Sequence, residues 1–164
     1  MAVAGTYAGA GLASIDAKGR MTLPSDIRDT LFAASGERTV VVSMHESLDC
    51  LVGFGENEQA LKLDDIQTEW KSTLGQGAGD FNREAASAAG YGLNFKANCE
   101  ASGRFVLNPD LREMAMIEDR AFIYGAGRHF CIWNPTEFLG ADLGPEYKRL
   151  TRFLELQLKK EGAR

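Results

Sequence analysis

Cysteine, histidine and long apolar runs are scarce in this chain of 164 residues, and cations are outnumbered. Its three cysteines, Cys50, Cys99 and Cys131, are far apart, odd in number and free of Cys-x-x-Cys spacing. They are expected as buried reduced thiols rather than a disulfide framework. The only histidines, His45 and His129, fall in hairpin segments without metal-ligand spacing, His129 being expected as a partly buried strand residue. No glycine-rich phosphate loop precedes a helix, and no serine or cysteine has a nucleophile context. No enzyme, metal, cofactor or small-molecule substrate is therefore expected. Nowhere does an apolar run reach the roughly eighteen residues of a membrane helix. The small, apolar start MAVAGTYAGAGLA has no basic n-region, so it does not read as a signal peptide and a cytoplasmic location is expected. With 18 basic and 23 acidic side chains the net charge is −5, which disfavours nucleic acid unless the cations are gathered in one place. Hydrophobic residues make up 45% of the chain, enough for a globular core.

What the sequence does contain is a duplication. Ser14 to Arg28, SIDAKGRMTLPSDIR, returns 84 positions later as Asn98 to Arg112, NCEASGRFVLNPDLR. Of thirteen aligned pairs from Asp16/Glu100 onward, six are identical: Ala17/Ala101, Gly19/Gly103, Arg20/Arg104, Leu23/Leu107, Asp26/Asp110 and Arg28/Arg112. Asp16/Glu100 stays acidic, while Met21/Phe105 and Ile27/Leu111 stay apolar.

Alternation up to Asp16, then Lys18-Gly19, then Met21-Thr22-Leu23, describes two short strands joined at a tight turn. Gly19 and Gly103 supply the positive φ that such a turn needs. The arginine after each glycine should project beside the turn, where a planar, permanently charged fork suits a phosphate or a guanine edge. Asp16 and Glu100 fit the shaping of the turn or the orientation of that arginine, since a carboxylate facing phosphate is repelled. Pro24-Ser25-Asp26 and Pro109-Asp110 look like helix starts. Arg28 and Arg112 then sit on the helices, and two roles stay open for them: nucleic-acid contact or pairing with local carboxylates.

Past the first helix, about Ser25 to Ala34 and stopped by Ser35-Gly36, Thr39 to Val42 and Cys50 to Phe54 read as a second hairpin. Ala121 to Tyr124 and His129 to Trp133 echo it. Each copy is thus expected as hairpin, helix, hairpin, with the halves interlocked into one barrel-like core. Between them, Glu56 to Leu74 with Leu61, Ile66, Trp70 and Leu74, and then Asp80 to Ala89, suggest two helices broken by a Gly75 to Gly79 loop. Residues Met44 to Trp70 carry seven carboxylates against one lysine, an acidic face that should avoid DNA. From Lys148 to Arg164 the balance reverses to six basic and two acidic residues. Tyr147, Leu150, Phe153, Leu154 and Leu158 form one helical stripe, which docks on its own protomer, on a neighbouring subunit, or beside an auxiliary DNA contact.

These residues resemble the MraZ family of bacterial transcriptional regulators, built from two SpoVT/AbrB-type swapped-hairpin repeats. The likeness lies in Asp16-Ala17-Lys18-Gly19-Arg20, Leu23-Pro24 and Arg28 of the first copy, and in Cys99, Gly103-Arg104, Leu107 and Leu111-Arg112 of the second, and it covers roughly residues 7 to 140. Glu100, Ser102 and Asn108 depart from the family's usual Asp, Lys and Pro. The resemblance implies an α+β fold with a mainly β core, a duplicated swapped-hairpin, double-split barrel with peripheral helices. The implied divisions are repeat one over 7–54, an inter-repeat helical segment over 55–90, repeat two over 91–138 and a terminal helix over 144–161. It implies a homo-oligomeric, ring-like repressor, nucleoid-associated, that binds short direct repeats in the promoter of its own cell-division and cell-wall gene cluster. On this reading Arg20 leads the contact with double-stranded DNA, Lys18 positions phosphate, Arg104 is the second contact, and Arg28 is a further candidate. The competing expectation is an antitoxin-like protein-binding module that uses the same hairpin unit, with the basic terminal helix as its extension.

Overall fold

A computed structural model describes residues 5–35, 38–73 and 82–163. Gly36, Leu74 and the Gly75 to Gly79 loop lie outside those residues, as does Arg164. The elements run β1 (Ala10–Ser14), β2 (Arg20–Thr22), α1 (Ser25–Ser35), β3 (Thr39–Met44), β4 (Leu51–Phe54), α2 (Asn57–Thr73), α3 (Arg83–Tyr91), β5 (Phe95–Asn98), β6 (Arg104–Val106), α4 (Pro109–Met114), β7 (Arg120–Gly125), β8 (Phe130–Trp133), α5 (Pro135–Gly140) and α6 (Lys148–Gly162). A short 3-10 turn, Pro145–Tyr147, leads into α6. The fold is α+β, with an antiparallel core and peripheral helices.

The second hairpin of each copy forms as expected: β3 pairs with β4, and β7 with β8. The first does not. β1 and β2 reverse at Gly19 but then diverge, and each takes its partner from the other copy. β1 pairs with β7, β5 with β3, and β2 with β6. The six-stranded sheet has the order β1-β7-β8-β4-β3-β5, with β2 and β6 forming a separate two-stranded ribbon. The physical reason is burial. A three-residue β2 with one apolar side chain inward gains little from lying flat beside β1, whereas pairing with β6 places Met21 and Phe105 opposite each other, both buried.

Alternation along the central strands divides the apolar side chains between two layers. Ala121 and Ile123 of β7, Phe130 and Ile132 of β8, and Val40 and Val42 of β3 face a cluster shared with Met21, Phe105, Ile27 of α1 and Leu111 of α4. Phe122, Tyr124, Cys131, Trp133 and Val41 face the opposite cluster with Phe138 of α5 and Leu154 of α6. Gly53 belongs to this pattern: a Cβ there would sit 2.3 Å from the Phe130 ring, which its bare backbone lets through. Trp133 Nε1 donates to the Tyr124 hydroxyl at 2.9 Å, so the one polar end buried with that indole is satisfied.

α6 docks on its own chain. Tyr147, Leu150, Phe153 and Leu158 pack around buried Leu154, the stripe read from the sequence, and Arg120 pairs with Glu161 at 2.8 Å. The inter-repeat stripe is thinner than its sequence suggested. Ile66 is buried, but Leu61 is exposed and Trp70 lies beneath the Arg83 guanidinium at 4.4 Å from the ring centre. α2 has little apolar surface to offer, so cations from other elements hold its acidic side and its approach: Arg128 bonds Glu58 and Asp65, and Lys96 pairs with Glu56 just ahead of the helix. Among the described residues no helix is long and apolar enough to cross a membrane.

Candidate nucleic-acid interface

Each turn is built by one carboxylate and one glycine. In the first copy Asp16 Oδ1 accepts the amides of Lys18 and Arg20 at 2.9 and 3.0 Å, and the Gly19 amide donates to the Asp16 carbonyl at 3.0 Å. Gly19 has φ +79° and Gly103 φ +91°, both in the left-handed region that a Cβ disfavours. The other Asp16 oxygen accepts from Arg20 Nε at 2.7 Å. In the second copy the longer Glu100 turns wholly to its arginine, accepting from Arg104 Nε and Nη2 at 2.8 and 3.1 Å. Ser102 Oγ takes over the backbone task, accepting the Arg104 amide at 3.4 Å. The Glu100 and Ser102 departures are therefore a matched pair.

The electrostatics follow that geometry. The Arg20 amide, then the Arg20 guanidinium, hold the Asp16 carboxyl below its ordinary range. Arg104, by hydrogen bond and then by charge, does the same to Glu100, with a smaller share from Arg20. In return Glu100 raises Arg104, helped by Asp16 across the ribbon.

The ribbon brings the two turns onto one surface. Arg20 lies opposite Val106 and Thr22 opposite Arg104, so all four project from the face opposite buried Met21 and Phe105. The side chains of Arg20 and Arg104 are 36% and 43% exposed, neither tucked inside nor turned to unrelated sides. Lys18 is exposed at the tip of the first turn. Thr22 and Val106, not singled out from the sequence, complete this face. The signal for them was the same alternation that buries Met21 and Phe105.

Arg28 and Arg112 occupy a different level. Arg28 bonds Asp29 at 3.0 Å, and its side chain lies against the second turn, about where a Gly103 Cβ would meet it at 3.2 Å. Arg112 Nε donates to the Ile117 carbonyl at 3.1 Å and Nη2 to the Glu118 carbonyl, with Nη1 reaching the Gly19 turn. Each helix arginine thus supports the turn of the opposite copy. α6 lies on the far side of the sheet from the ribbon, so its cations do not join this face.

No family model matches the chain. Among curated proteins it is 31% identical over 130 residues to the transcriptional regulator MraZ of Saccharophagus degradans, covering 78% of this chain and 82% of that protein. It is 29% identical over 157 residues to the transcriptional regulator MraZ of Dechloromonas aromatica, covering 86% and 96%. The same name attaches to a Ruegeria pomeroyi protein, 29% identical over 134 residues, covering 76% and 74%.

Proposed function

The chain belongs to the MraZ family of transcriptional regulators, and on that premise we propose that it represses transcription by gripping promoter DNA through the β2–β6 ribbon. The observation that carries this reading is the common face of Arg20 and Arg104. Arg20 is the principal contact. Among the described residues only its Nε is engaged, by Asp16, which leaves the two outer nitrogens to offer donors in a fixed plane. Arg104 commits two nitrogens to Glu100 and is the weaker contact. Lys18 supplies a mobile charge to phosphate, and Arg28 adds charge at the foot of the second turn while supporting it.

Four cations, Lys18, Arg20, Arg28 and Arg104, against three carboxylates, Asp16, Asp29 and Glu100, make a modest charge for one ribbon and its flanking helix. We infer that a ring-like homo-oligomer sets several ribbons against successive short direct repeats of the operator, gaining affinity by linkage rather than by new contacts. The interlocked copies, 7–54 and 91–138, are the swapped-hairpin unit, and the protein works at the nucleoid on its own cell-division and cell-wall gene cluster. The antitoxin-like alternative needs a free extension, and α6 instead spends its apolar stripe on its own sheet.

The test is an anisotropy titration of the full-length protein on labelled DNA from upstream of its own gene, with light scattering for subunit number. Arg20→Ala should lower affinity roughly tenfold or more while leaving the circular dichroism spectrum intact. Unchanged affinity and unchanged salt slope in both Arg20→Ala and Arg104→Ala would remove the ribbon from the interface.

A further inference from the structure

On the sheet face away from the ribbon, three residues that are dispersed in the sequence converge. His45 follows β3, His129 precedes β8 and Cys131 lies within β8, and each brings one ligand atom within 4.8 Å of the other two. His129 and Cys131 are two apart and so share a face, while His45 arrives from the first copy at the start of the β3–β4 turn, whose His45 amide donates to the Cys50 carbonyl at 2.9 Å. The imidazoles meet edge to face with ring centres 5.9 Å apart. Cys131 is buried, and both histidines line the mouth of a cavity of about 420 Å³ under α2.

We propose that His45, His129 and Cys131 form a binding site for one zinc-class transition-metal ion. Two imidazoles and a thiolate are the donor set of borderline and soft cations, and magnesium or calcium would require oxygen ligands. The cavity's carboxylates are already committed: Glu58 and Asp65 to Arg128 at 3.1 and 2.9 Å, Glu46 to Lys62 at 3.1 Å. Nitrogen and sulfur are what remains for a cation, and the Cys131 sulfur exchanges its hydrogen bonds with Cys50, His129 and Tyr124 for the ion. With three protein ligands, the fourth position opens to the cavity and takes water. On capture the Cys131 sulfur gives its electron pair to the ion, and where it was a thiol one proton passes to solvent.

His45 sets the affinity. Its Nδ1 accepts the amides of Ser47 and Leu48 at 3.1 and 3.0 Å, which leaves the ring hydrogen on Nε2. To ligate, the ring must move that hydrogen to Nδ1 or turn over, and either change costs the two amide contacts. The ion is therefore held first by His129 and Cys131, and more weakly than in a preformed structural site. Once His45 joins, the ion ties the β3–β4 turn of one copy to β8 of the other.

The experiment is a cobalt(II) titration of the reduced, chelator-treated full-length protein, followed by zinc competition and thermal melts with and without zinc. One cobalt per chain should produce a near-ultraviolet thiolate-to-cobalt band that zinc abolishes, and zinc should raise Tm. Cys131→Ser and His129→Ala should each remove the band, and His45→Ala should weaken binding roughly tenfold or more. Cys99→Ser, buried in the opposite cluster, should change nothing. Since Cys131→Ser disturbs a buried position, His129→Ala, at the half-buried mouth, serves as the independent variant, with circular dichroism to establish its fold. The proposal is overturned if wild-type protein shows no thiolate band with excess cobalt, if the band survives either Cys131→Ser or folded His129→Ala, or if Cys99→Ser removes it.

Discussion

The Leu23 amide donates to the Gly103 carbonyl at 3.0 Å, and the Leu107 amide donates to the Gly19 carbonyl at 2.9 Å. Each turn is thus fastened by the leucine that follows the other copy's ribbon strand. A perturbation at either turn should reach both, because the two cannot loosen independently.

Alanine at either glycine places a Cβ in the left-handed region, at a cost of about 1–2 kcal/mol. The neighbours then separate the two. A Cβ at 19 meets the Leu107 carbonyl at an ordinary 3.6 Å, while at 103 it meets the Arg28 side chain at 3.2 to 3.4 Å. Urea denaturation should rank Gly103→Ala as the more destabilising. The reverse order would mean that Arg28 yields at no cost.

The two Asp16 oxygens have separable duties, which predicts a split between Asn and Ala. Asp16→Asn keeps an oxygen for the Lys18 and Arg20 amides but loses the charge that restrains Arg20. Affinity for DNA should rise several-fold and the salt slope steepen by about one phosphate contact. Asp16→Ala loses the turn as well and should bind more weakly than wild type. Equal behaviour of the two variants would remove the turn-shaping role from Asp16.

A pH dependence follows from the same pairs. Asp16 and Glu100 titrate below their ordinary values of 3.8 and 4.5 in the folded protein, because Arg20 and Arg104 favour the charged forms. Their contribution to the turns is complete above those ordinary values and is lost as pH falls through the depressed ones. Carboxyl-carbon NMR should place the Asp16 and Glu100 midpoints accordingly, and Arg104→Ala should return Glu100 toward 4.5. Failure of Glu100 to move would deny that Arg104 is the main cause.

How much of this could be read in advance depends on what kind of constraint left a trace. Gly19, Gly103, Leu23 and Leu107 recur because a positive φ and a closed core admit few residue types, so the turns and helix starts were legible. Alternation likewise announced that Met21 and Phe105 face inward. It carries no information on which strand supplies the partner, so in sequence β1 and β2 look like a hairpin although their hydrogen bonds go to β7 and β6. Side-chain support across the copies, as from Arg28 to Gly103, was invisible for the same reason. His45, His129 and Cys131 gave no spacing signal, because the path between them runs through both copies.

The placement of α6 separates stability from binding. Leu154 is the fully buried centre of the stripe that packs with Phe122 and Phe138, so Leu154→Ala removes a side chain from a closed cluster and should cost about 2–5 kcal/mol, the range depending on how far the helix settles into the cavity. Lys159 and Lys160 are exposed on the same helix, with the whole sheet between them and the ribbon. Replacing both with glutamine should leave stability within about half a kcal/mol. At physiological salt, where screening acts over roughly 8 Å, it should also leave the slope of DNA binding unchanged. A slope reduced by about two would place those lysines against phosphate and require that the operator wrap past the edge of the sheet.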